Sequence, residues 1–142
     1  MNIEDIPFNH HIGVTKSSLP DYRLEIDSEG HHLNHLGTVH GSVLFSLAEA
    51  SSGDFLLDYF RTTGAVAMIV RSNAKYSDLA KGVIRSRILT GTEELEKARK
   101  AYQNKGKAMV EIAVQIVGED DTQAAEFSFQ WFLTRSPSAK AN

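Results

Sequence analysis

The stretch from Ser42 to Phe60 constrains this chain more than any other, because it reads as one long helix with no internal proline and is apolar nearly all the way round. A surface helix shows one apolar stripe, whereas a helix apolar on every side is wrapped by the rest of its fold. Between Val43 and Gly53 the only ionisable side chain is Glu49, set among Val43, Leu44, Phe45, Leu47, Ala48 and Ala50. Helical spacing puts Ser46, Ser52 and Gly53 beside it and Ser42 one turn further back, so its neighbours are small and polar. A structural glutamate is more often met at that spacing by Lys or Arg, and neither is there. Small neighbours leave room for a ligand. The plain alternative is a Glu that reaches solvent at the helix edge or pairs with a basic group from a strand.

What wraps the helix is legible in the alternation around it. Tyr22, Leu24 and Ile26 alternate with charged residues from Asp21 to Asp27, and a weaker strand is expected over Ile12 to Lys16. Strands are predicted over Ala65 to Tyr76, Val83 to Leu89, Met109 to Val117 and Phe127 to Leu133, the last two forming a hairpin across Gly118-Glu119-Asp120-Asp121. Glu93 with Lys97 and Glu96 with Lys100 mark an exposed helix over Thr92 to Gln103. His31 to His40 reads as a loop, and Gly64 ends the long helix. The expectation is one α+β domain over 1–142, core about 12–135, with a solvated tail at 136–142.

Composition removes several function classes. A chain of 142 residues buries enough surface for one core without staples, and the absence of cysteine excludes disulfides, thiolate metal sites and a thiol nucleophile. A net charge of −3 gives no field for nucleic acid. No apolar run approaches the roughly 20 residues of a membrane span, and Met1-Asn2-Ile3-Glu4-Asp5 lacks a signal pattern, so a cytoplasmic protein is expected. Six histidines, at 10, 11, 31, 32, 35 and 40, raise the question of zinc. Without cysteine, zinc needs several of them converging on regular elements, and the loop reading argues against that, so no metal is expected.

Asn34-His35-Leu36-Gly37-Thr38-Val39-His40-Gly41 leads into the helix. The first N–H groups of a helix have no intrahelical partner and carry the positive end of its dipole, so Gly41 offers a donor that can face a developing oxyanion. Glycine there also lets a substrate approach the backbone, although a plain turn residue is the commoner meaning. Histidine is the side-chain type suited to proton transfer near neutral pH, so His40 is a conceivable base, but shaping the loop at the helix start is the better reading.

Asn34, six residues, Gly41 preceded by His40, and an acid eight positions further on the helix together resemble the motif of hotdog-fold thioesterases, in particular the phenylacetate-pathway and 4-hydroxybenzoyl-CoA groups. The likeness spans about Ile12 to Arg135, and Glu94 to Lys107 with the strands that follow resembles an uncharacterised branch of the superfamily. The resemblance implies a long central helix wrapped by five or six antiparallel strands, and a homodimer or a dimer of dimers joined at sheet edges. It implies acyl-CoA hydrolysis without a cofactor. In that scheme Gly41 N–H polarises the thioester carbonyl, Asn34 holds substrate or water, and Glu49 acts as nucleophile or general base across the subunit interface. Two positions depart from the pattern: Ser42 stands where many relatives carry a second glycine, and Gly53 where some carry a hydroxyl, with Ser52 adjacent. His40, Ser42, Ser52 and Gly53 are expected to contact substrate, and Arg71 and Lys75 to meet the CoA phosphates. A non-catalytic acyl-CoA-binding protein and an acyl-thioester dehydratase or hydratase are the alternatives.

Overall fold

The computed structural model describes residues 2–136, so the expected tail lies almost entirely outside the described residues. A short 3-10 turn, Ile3–Asp5, leads into helix α1, Pro7–His11, and then strands β1, Thr15–Lys16, and β2, Leu24–Asp27. A 3-10 turn at Gly30–His32 precedes the long helix α2, Gly41–Phe60. Strands β3, Ala65–Tyr76, and β4, Val83–Ile88, follow. Helix α3, Thr92–Lys105, then separates them from β5, Lys107–Val117, and β6, Gln123–Arg135. All six strands form one antiparallel sheet in the order β1-β2-β4-β5-β6-β3. The central helix on a six-stranded antiparallel sheet is the hotdog arrangement the sequence resemblance implied.

Alternation builds the concave face. Val110, Ile112, Val114 and Ile116 of β5 and Phe127, Phe129 and Leu133 of β6 are all buried toward α2. The helix answers with Leu44, Leu47, Ala48, Leu56 and Phe60, each large side chain contributing about 1.5–3 kcal/mol through burial. Its polar residues are tied as well: Ser51 Oγ meets the Leu47 carbonyl at 2.7 Å and Ser86 Oγ of β4 at 2.5 Å, and Ser86 Oγ accepts from the Leu24 N–H at 3.0 Å. A buried chain of hydroxyls therefore joins helix to sheet with no orphaned polar atom. The chain leaves α2 through a turn ending at Gly64, whose φ of +73° is a left-handed conformation that glycine adopts without strain.

The N-terminal region differs from expectation. Pro7–His11 is helical and β1 is only two residues long. Pro7 presets the helix start, and Asn9 Nδ2 donates to the Ile3 carbonyl at 3.0 Å, closing a local fold too short to leave a periodic trace.

The two edges of the sheet are unlike. At one end β1 offers two residues. At the other β3 runs twelve residues with its outer edge unpaired, and its Val66, Met68 and Val70 are exposed. A β-bulge between Ile69 and Arg71 shifts the register within it. Before the bulge Ala65, Ala67 and Ile69 lie opposite Arg135, Leu133 and Trp131; after it Ser72, Ala74 and Tyr76 lie opposite Phe129, Phe127 and Ala125. The residues turned toward the helix thus change parity at Val70.

Candidate active site

The loop before α2 is held by its own polar groups. Asn34 Oδ1 accepts from the N–H of Leu36 at 2.9 Å, the N–H of Thr38 at 3.2 Å and Thr38 Oγ1 at 3.1 Å. That oxygen is fully engaged, while among the described residues the Asn34 Nδ2 group meets no acceptor. His32, buried beneath the loop, donates from Nε2 to the Ile12 carbonyl at 2.8 Å and accepts at Nδ1 from the Glu29 N–H at 2.9 Å. His40 caps α2, its Nδ1 accepting the Ser42 N–H at 3.0 Å. With both His32 nitrogens and the His40 Nδ1 committed to backbone, these rings serve structure. Among the described residues no group of three or more His, Asp or Glu is placed to hold a metal ion.

His40's cap leaves the Gly41 N–H without an acceptor among the described residues. The glycine is also a matter of space. A Cβ at Gly41 would sit 3.3 Å from Cε1 and 3.8 Å from Oη of Tyr76, the last residue of β3. Any larger residue would push that ring aside.

Glu49 lies two turns along α2 on its solvent-facing side, with Ser42, Phe45 and Ser46 on the preceding turns. Ser46 Oγ is turned back on the Ser42 carbonyl at 2.8 Å. Among the described residues the Glu49 carboxylate meets neither a hydrogen-bond donor nor a cation, and partial burial raises its pKa above the ordinary 4.5. An unpaired carboxylate of raised pKa is a better proton acceptor than an ordinary one.

Ser52 and Gly53 sit differently from expectation. Ser52 is fully buried; its hydroxyl donates to the Glu49 carbonyl at 2.9 Å and accepts from Trp131 Nε1 at 3.1 Å. The Trp131 ring lies 3.5 Å from where a Cβ of Gly53 would stand, filling the space beside that turn. Both therefore brace the helix turn that carries Glu49. Arg71 and Lys75 follow the bulge and face away from α2, opposite Gln130 and Glu126. They border two shallow depressions of about 140 and 380 Å³ on the outer face of the sheet, and neither takes an ion-pair partner among the described residues.

Two residues of the region went unforeseen. Asp54, five positions after Glu49, is buried and paired with Arg23 at 2.8 Å and Lys16 at 3.6 Å. In the sequence Tyr76 reads only as the end of a strand. The bulge that turns it inward leaves no trace in the alternation.

Residues 10–133 match the model of the family described as Domain of unknown function (DUF4442). No curated protein matches the chain. Among solved structures it is similar to a Pseudomonas aeruginosa protein of unknown function described as a probable thioesterase, at 25% identity and TM-score 0.81, over 94% of this chain and 91% of that one. It is similar at 15% identity and TM-score 0.62 to the PaaI protein from the phenylacetic acid degradation operon of E. coli, over 90% and 84%. A thioesterase of Staphylococcus aureus gives 11% identity and TM-score 0.66, over 90% and 98%. At such identities the last two show the fold alone.

Proposed function

This chain belongs to the DUF4442 family and has the hotdog fold, and from that premise we propose that it hydrolyses acyl-CoA thioesters to the free acid and CoA. The observation that carries the reading is Glu49: a carboxylate of raised pKa, unpaired among the described residues, at an open position of a largely buried helix. Glu49 attacks the thioester carbon directly or through a water it deprotonates, and the Gly41 N–H receives the charge that develops on the carbonyl oxygen.

Gly41 and Glu49 are eight residues apart, about 12 Å along the helix axis and about 80° round it. That separation favours a site in which Glu49 of one subunit faces Gly41 and the Asn34 amide of another. The bare edge of β3 supports such a homodimer, since a long unpaired strand with exposed Val66, Met68 and Val70 is a template for pairing. Arg71 and Lys75, on that same strand and free of ion pairs among the described residues, stay available to CoA phosphates. Replacing both should raise KM for acyl-CoA and leave kcat in place.

Release of free thiol from short, medium, long-chain and aryl acyl-CoAs tests the activity, and no turnover of any of them refutes it. Mixing subunits tests the shared geometry. Glu49→Gln and Asn34→Asp, each inactive alone, should on co-refolding restore about a quarter of wild-type turnover, because half of the dimers then carry one intact site of two. A mixture as inactive as its components would place the whole site in one chain.

A further inference from the structure

The Tyr76 hydroxyl stands beside Gly41, and no described residue hydrogen-bonds to it. The ring is fixed: it meets Phe127 edge-on, centroids 5.6 Å apart at 86°, and lies against the Gly41 backbone. Just beyond it, the N–H groups of Ser77 and Asp78 both bond to the Ala124 carbonyl, at 2.8 and 3.2 Å, which pins the end of the strand. A phenylalanine would make all of the ring contacts. The phenol oxygen has no hydrogen-bond partner among the described residues, and the side chain is exposed, at 55% for the residue. It lies 3.8 Å from the position of a Gly41 Cβ, beside a residue whose own N–H also lacks an acceptor among the described residues. Two donors unpaired among the described residues, one from backbone and one from a side chain packed on an aromatic ring, thus belong to residues that lie against each other.

The geometry points to Tyr76 as a second hydrogen-bond donor to the thioester carbonyl oxygen, a role that rests on the hydrolytic reading of this site. As the attacking oxygen bonds to the carbonyl carbon, the π electron pair moves onto the carbonyl oxygen, which takes hydrogen bonds from the Gly41 N–H and the Tyr76 O–H. When that pair re-forms the double bond, the C–S bond breaks and CoA leaves as thiolate, taking up the proton released by the water consumed. Tyr76 keeps its own proton throughout. The small residue at position 41 is then required twice, by the substrate and by the ring that lies across it.

Tyr76→Phe tests the hydroxyl alone. Loss of one oxyanion donor costs about a hundredfold or more in a closed site, and with the Gly41 donor retained in an open cleft the expected fall in kcat is about tenfold to a hundredfold. Affinity for an unreactive thioether analogue of acyl-CoA, in which the sulfur is flanked by methylene and no carbonyl, should be unchanged, as should the melting temperature. A merely structural tyrosine would move stability and leave kcat. Wild-type hydrolysis with an unaltered kcat in Tyr76→Phe overturns the donor role while the thioesterase stands. Absence of both hydrolysis and analogue binding in the wild type overturns the two together.

Discussion

Two carboxylates sit five residues apart on the same helix and have opposite circumstances. Asp54 is nearly sealed, its side chain 9% exposed, yet Arg23 and Lys16 close on it and Arg23 reaches on to Asp58 at 2.5 Å. Glu49 is open to solvent on one side and has no partner among the described residues. A fold under pressure only for stability would pair the charge it exposes least and be indifferent to the other. Asp54 follows that rule. What sets Glu49 apart is that partial burial raises its pKa while no described residue pairs with it, a combination that favours a carboxylate able to take up a proton.

The sharpest way to break this contrast is Glu49→Gln, which keeps shape and removes charge. Turnover of the best acyl-CoA should fall about a hundredfold or more, and a variant with wild-type kcat would make Glu49 as inert as any surface residue. Asp54→Ala should do the reverse. It strands Arg23, which keeps Asp58 and is itself 23% exposed, so the cost should be about 2–3 kcal/mol, below that of a fully buried pair. Denaturant unfolding reads that loss, and kcat of the folded fraction should stay within a few-fold.

A smaller effect is the acid limb of activity. Because burial raises the Glu49 pKa above 4.5, kcat/KM should decline with falling pH at a value above that of an ordinary carboxylate, and a limb at or below the ordinary value would count against it as the titrating group. The smallest effect concerns stability, and its sign is opposite to that of a paired acid. A raised native pKa means that the native state holds the proton more tightly than the unfolded chain. The associated stability is therefore fully present below pH 4.5 and lost as pH rises through the native value. Glu49→Gln should melt slightly higher than wild type at pH 7, with the difference gone below pH 4.5. A variant that melts lower at pH 7 would reveal a structural role for the charge.

Much of this was legible because the signals are local. The apolar surround of α2, the alternation of Val110 to Ile116 and the absence of a basic residue one turn from Glu49 can each be read within a dozen positions. The rest depends on distant partners. Ser52 shares a helical spacing with Glu49, but its orientation is decided by Trp131, seventy-nine residues away. Asp54 meets Arg23 across thirty-one residues. Arg71 and Lys75 share parity with Ala65, Ala67 and Ile69, and only the unannounced bulge at Val70 sends them to the outer face and brings Tyr76 to Gly41.

The unequal edges of the sheet carry a consequence for assembly. A polymer chemist would call the protomer monofunctional: its twelve-residue β3 offers one reactive end, while two-residue β1, carrying the charged Lys16, offers next to none. Monofunctional units join once and terminate. Strand addition that seated a second copy on β3 would consume both available ends, so the association proposed to complete the site would also stop the sheet from growing into a fibre.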